Sequence, residues 1–237
     1  MLYYHRKTYD VLVYGGNMII SKVSEERKKD EKRGEGHGAD YKPYIRVNEF
    51  NSKGTTSNPV DWITGRTMQL LSQGEMLFYY ILRWDSSVVD IREQYPLDLE
   101  DTLHIAKNLH IRHPKNNNTR MTSDFLVDYL DGRQVVYSVK RSRSDIEEPR
   151  TKEKLLIEKV YWNQRGIDFV MIYAEELNIS YVTNIRIVTE FYNLEDVFDD
   201  ISMIKHLIAT RQIAVDLTCG LIDFSKLKKE LGYDNSK

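Results

Sequence analysis

An α/β fold, with helices packed on a sheet, is what this sequence predicts, and three features predict it. Between residues 72 and 174, helical apolar spacing alternates with short runs rich in Val, Ile, Tyr and Phe, in the order helix, strand, strand, strand, helix, strand. Two of those strands flank an Asp-Gly turn and read as a hairpin. The last, IDFVMIYA (167–174), is a short apolar run entered from a helix, the pattern of a buried strand with helices over it.

The elements follow in order. Residues 1–17 are aromatic-rich and lack the features of a signal peptide; they read as an N-terminal extension, with translation expected to start at Met18. Residues 24–38 alternate in charge and end in Gly-Glu-Gly-His-Gly, a solvated helix running into a loop, or a basic arm that touches phosphates. From Ser72, the positions Met76, Leu77, Tyr80, Ile81 and Trp84 recur at helical spacing. Ser72 and Glu75 match a capping box, in which each side chain satisfies an unpaired backbone donor, so a structural role competes for Glu75. VVDIREQY (88–95) reads as a strand that Pro96 ends. Residues 96–121 read as a long connection, where His104, His110 and His113 lack the spacing of a metal cluster and are taken as loop or surface residues. A further helix starts at Pro149 and stops at Gly166, with Leu155, Leu156, Val160 and Tyr161 as its apolar stripe. Residues 18–177 form the expected main domain, and 178–237 a small, mostly helical one in which IAVDLTC (213–219) looks like a strand.

Composition narrows the function classes. The apolar share is 41% and charged residues make up 30%, with no run near the roughly 18 apolar residues of a membrane span. Cys219 is the single cysteine, which excludes an internal disulfide and a cysteine zinc cage and fits a cytoplasmic protein. A net charge of -2 gives no global sign of nucleic-acid binding, so any DNA contact must come from local patches.

The hairpin carries the chemistry. Its strands run from Asp124 to Tyr129 and from Gln134 to Lys140. A two-residue loop at Asp131-Gly132 would set Asp124 opposite Val139 and send Lys140 to the other face. A three-residue loop, Leu130-Asp131-Gly132 with Gly132 left-handed, sets Asp124 opposite Ser138 and puts Lys140 on the same face. The second register is the expected one, because hydrolysing a phosphodiester needs carboxylates that hold a divalent metal and a cation beside the attacking water. Asp124 would be the central ligand, Glu75 the second carboxylate, and Lys140 the cation. By itself an acid and a lysine on a hairpin is a weak motif, shared with any charged surface hairpin.

The pattern resembles the PD-(D/E)XK superfamily, the restriction-endonuclease-like fold, and more narrowly the TnsA endonuclease subunits of bacterial cut-and-paste transposons. The similar segments are GEGHGADYKPYI (34–45), TGRTMQLLSQGE (64–75), WDSSVVDIREQYPL (84–97), MTSDFLVDYLDG (121–132), SVK (138–140) and EKLLIEKVYW (153–162). The resemblance implies a mixed sheet flanked by helices, with Glu75, Asp124 and Lys140 as the catalytic set. It implies metal held by Glu75, Asp124 and the main-chain carbonyl of Val139, with Mg2+ as the ion, Mn2+ as a substitute, and two ions per site. Where the family places Gln, and the superfamily Asp or Glu, this chain has Ser138, a weaker oxygen donor. Glu158 or Glu153 on the next helix could compensate, though both read as exposed helix charges. The implied partners are DNA at the transposon ends, a TnsB-type transposase and a TnsC-type AAA+ ATPase, in a bacterial cytoplasm. The implied C-terminal domain is winged-helix-like, here shortened. Two other functions fit the residues less well: a stand-alone restriction or repair nuclease, and a non-catalytic assembly module.

Overall fold

The hairpin lies at the centre of a four-stranded sheet. The structure, a computed structural model, describes residues 4–6, 9–14, 17–20, 23–49, 55–114 and 119–232, with side chains from residue 23 onward. Strands β4 (Val88–Pro96), β5 (Thr122–Tyr129), β6 (Gln134–Lys140) and β7 (Asp168–Tyr173) lie in that order. The first three pair antiparallel and β7 joins β6 in parallel, which makes the sheet mixed. Before it come a three-stranded antiparallel meander, β1 (Tyr4–Arg6), β2 (Tyr9–Tyr14) and β3 (Asn17–Ile20), and the short helix α1 (Glu25–Asp30). Strand β3 includes Met18, the expected start, and pairs with β2 on its N-terminal side.

The hairpin has the three-residue register. Phe125 pairs with Tyr137 and Asp128 with Gln134, so one more step sets Asp124 opposite Ser138. The turn closes through the Tyr129 N–H on the Arg133 carbonyl at 3.0 Å and the Gly132 N–H on the Tyr129 carbonyl at 2.9 Å. Gly132 sits at φ +83°, which a residue with a Cβ adopts only under strain.

Alternating side chains divide the core between the two faces of the sheet. On one face Phe125, Val127, Val135 and Val139 pack with Leu77 and Phe78 of α2 (Gln73–Trp84). Val182, Ile185 and Val188 of α5 (Ile179–Thr189) and Ile204 and Ile208 of α6 (Asp200–Ala209) belong to that same cluster. On the other face Leu126 and Val136 meet Ile105 and Ala106 of α3 (Leu99–Asn108) and Ile157, Tyr161 and Trp162 of α4 (Pro149–Asn163). Helix α7 (Phe224–Glu230) completes the chain.

Five expectations change. The connection at 96–121 contains α3, whose first turn is capped by the Asp98 carboxylate accepting from the Asp101 N–H. His113 there is buried, within 3.2 Å of the Thr102 hydroxyl. Strand β7 is an edge strand, and Val170 is 37% exposed rather than buried. Helix α4 buries Ile157, Glu158, Tyr161 and Trp162 while Leu156 is exposed, so the apolar stripe read from sequence is rotated from the true one. IAVDLTC forms no strand; the Leu217 and Gly220 carbonyls instead accept from the Asn184 side-chain amide on α5.

Candidate active site

Two elements bring the hairpin's acid and lysine to helix α2. Helix α2 approaches β6 at Gly74, where an added Cβ would lie 3.1 Å from the Val139 side chain and 3.0 Å from that of Ala174. The next residue is Glu75. Its backbone N–H donates to the Ser72 hydroxyl at 3.1 Å, which is the expected cap. Its carboxylate departs from the capping box: the Ser72 hydroxyl donates to one oxygen at 2.9 Å, and the Leu71 N–H, one residue before the cap, donates to the other at 2.9 Å. The Gln94 amide donates to that second oxygen at 3.0 Å. Glu75 thus caps the helix and points its acid inward, so the two roles read from sequence are compatible.

On the hairpin, Asp124 Oδ2 accepts from the Val139 N–H at 2.6 Å and from the Ser138 hydroxyl at 3.3 Å. The Lys140 ammonium lies 3.6 Å from the same oxygen and donates to Ser138 Oγ and to the Val139 carbonyl, both at 3.0 Å. Asp124, Ser138 and Lys140 line a cleft of about 480 Å³ with Lys154 and Glu158 of α4. Glu75 is not among the residues of that lining; it is 6% exposed and close enough to Asp124 for that charge to act on its carboxyl.

Glu158 is the residue the sequence reading undervalued. It is buried, one carboxylate oxygen has no hydrogen-bond partner, and the Ser123 hydroxyl serves the carboxylate. Glu153, the other acid considered, lies on the surface with Arg150 as its ion-pair partner. No pattern in the sequence separates the two, because both sit on a helix whose buried face periodicity misplaces.

Electrostatics tie the group together. Burial, and then the Asp124 charge, push the Glu75 carboxyl up to about 8. The same two causes push Glu158 up to about 8. Burial works against the Lys140 charge, but Asp124, Glu158 and Glu75 outweigh it and raise its pKa, so Lys140 is a cation at neutral pH. Three carboxyl groups therefore share one ammonium. That excess of acid, the orphaned Glu158 oxygen and the hard oxygen donors fit a divalent cation held by Asp124, Glu75, Glu158 and the Val139 carbonyl. Ser138 Oγ already binds both Asp124 and Lys140, which leaves it a minor ligand at most.

A second cluster lies at the hairpin's far end, where His37, Asp90 and Asp128 place ligand atoms within 4.8 Å of one another. Asp90 and Asp128 are cross-strand partners, and Arg92 already balances them, with Nη2 2.6 Å from Asp128 and Nε 3.8 Å from Asp90. Its guanidinium would repel an ion placed there.

A mixed sheet between helices, with acids and a charged lysine around one cleft, defines the class of restriction-endonuclease-like nucleases. Residues 85–184 match the family described as TnsA-like endonuclease N terminal. The chain is 34% identical over 223 residues to the Escherichia coli transposon Tn7 transposition protein TnsA, across 92% of this chain and 75% of that protein. It belongs to the TnsA family, the endonucleases of DNA transposition.

Proposed function

We propose that this protein is a magnesium-dependent DNA endonuclease that hydrolyses the phosphodiester at the 5′ ends of a transposon, working with a TnsB-type transposase and a TnsC-type AAA+ ATPase in the bacterial cytoplasm. The observation that supports it best is the cleft where Asp124, Lys140 and Glu158 meet, with the buried Glu75 carboxyl feeling the Asp124 charge. Bound magnesium, for which manganese would substitute, would neutralise phosphate charge and acidify a water. Glu75, Asp124, Glu158 and the Val139 carbonyl would hold it, two ions per site, with Ser138 contributing weakly. Lys140, kept charged chiefly by Asp124, acts as the cation that orients the attacking water and the phosphate rather than as a base. Ser138 holds Lys140 against Asp124 and so fixes that cation in the cleft.

Residues 18–177 supply the nuclease in this reading, and residues 178–237 face partners and DNA. Phe198, 80% exposed, and Leu194, 62% exposed, give that part an apolar surface suited to a protein contact. No described helix is long and apolar enough to cross a membrane. The test is reconstituted excision with transposon ends, transposase and ATPase. Asp124→Ala is expected to abolish 5′-strand cutting and leave 3′-strand cutting; unchanged 5′ cutting refutes the assignment.

A further inference from the structure

Strand β4 turns over beside the active site. In a regular strand, residues 91, 95 and 97 share one face. Here Ile91 packs in the core on the α2 side, whereas Tyr95 and Leu97 belong to the core on the α4 side. The neighbouring strand changes with it: Phe125 lies in the α2-side core, while Ser123, paired with Tyr95, takes a 2.8 Å hydrogen bond from Trp162 on α4. Between these pairs stand Gln94 on β4 and Asp124 on β5. Gln94 makes the switch with φ +51°, a left-handed conformation that strains a residue with a Cβ.

The side chains on either side of the switch are sent to different acids' needs. Glu93 is fully buried and bound by Arg66 at 2.6 and 2.8 Å and by the Gln69 N–H at 2.9 Å. Gln94, 2% exposed, points its amide at Glu75, 3.0 Å away, and accepts from the Thr122 hydroxyl at 3.4 Å. An amide cannot ionise, so it donates to Glu75 at every pH and adds no charge. Leucine would leave that carboxylate oxygen with a single donor, and glutamate would set a third acid against Glu75 and Asp124.

We propose that Gln94 is a positioning residue of the nuclease centre, held in a strained backbone conformation so that its amide fixes the Glu75 carboxylate. The inference rests on the proposed metal-dependent nuclease and adds a residue outside the set Glu75, Asp124 and Lys140 and outside the cleft lining. A merely structural Gln94 and a positioning Gln94 differ in what glycine does. Glycine removes the strain and keeps the backbone hydrogen bond from the Tyr44 N–H to the Gln94 carbonyl, while it deletes the amide.

The experiment titrates Mn2+ by calorimetry into the full chain and its Gln94→Gly, Gln94→Met and Asp124→Ala variants, with melting curves of each without metal. Gln94→Gly is expected to keep a single cooperative melting transition yet bind Mn2+ about 10–100-fold more weakly, the usual loss when a partner of a metal ligand is removed. Gln94→Met, which fills the same space without an amide, shows the same loss. Wild-type Mn2+ affinity in both Gln94 variants, with Asp124→Ala binding none, overturns the role of Gln94 and leaves the nuclease reading intact. Wild-type Mn2+ affinity in Asp124→Ala overturns the nuclease reading itself.

Discussion

Lys140 and Glu158 show at the scale of single residues what the site demands. Lys140 is flanked by three acids, and replacing it with Met leaves Asp124 without its cation. Lys140→Met is expected to cut at least 100-fold more slowly in the reconstituted assay while melting within a few degrees of wild type; Lys140→Arg, which keeps the charge but not the compact ammonium, falls in between. Glu158 gives a pH signature. Its carboxyl ordinarily titrates at 4.5 and in the fold at about 8, so the folded protein holds a proton that the unfolded chain releases across that window. Below 4.5 both states carry the proton, and Glu158 behaves like glutamine. As pH rises toward 8, wild type loses stability relative to Glu158→Gln. In chelator, the melting temperature of Glu158→Gln minus that of wild type should grow from pH 5 to pH 8.5; a difference that stays flat would show an ordinary, solvated acid. Asp124 and Lys140 were legible in the sequence as candidates because motif and hairpin register agree on them, and Glu75 through the family resemblance alone. Glu158 and Gln94 were not, since a helix glutamate reads as solvated and a strand glutamine carries no signal until its φ is known.

At the scale of elements, the hairpin and α2 decide whether these residues meet. The turn's three-residue register was legible because only that register puts Asp124 and Lys140 on one face, and Gly132 at φ +83° confirms its left-handed step. Helix α2 was legible from its apolar spacing and cap, but its closeness to β6 was not; it depends on Gly74 having no side chain. Gly74→Val is therefore expected to push the first turn of α2, and Glu75 with it, away from Val139. The reconstituted cutting rate should fall at least tenfold, and stability by about 1–3 kcal/mol in urea unfolding. An unchanged rate would mean the helix can shift without moving Glu75. Helix α3 escaped the sequence reading because Leu99, Ile105 and Ala106 form only a short apolar stripe among charges. The stripe of α4 was misread for a different reason: its buried face includes a glutamate, Glu158.

Across the whole molecule, one core joins the C-terminal helices to the nuclease sheet. Val182, Ile185 and Ile208 share a cluster with Leu77 and Phe125, a union that no local pattern in residues 178–237 reveals. Ile185 is fully buried in it, and Ile185→Ala should cost about 2–5 kcal/mol and lower a single melting transition. Two separate transitions, only one of them shifted, would show that the C-terminal helices fold apart from the sheet. Among the described residues a divalent ion would find two groups of ligands, one at the cleft and one at His37, Asp90 and Asp128 where Arg92 intrudes. Anomalous diffraction at the manganese edge, from crystals of the full chain soaked in Mn2+, distinguishes them directly. The expected result is a peak between the Asp124 carboxylate and the Val139 carbonyl; a peak only beside His37, with none at Asp124, would contradict the assignment of the nuclease centre.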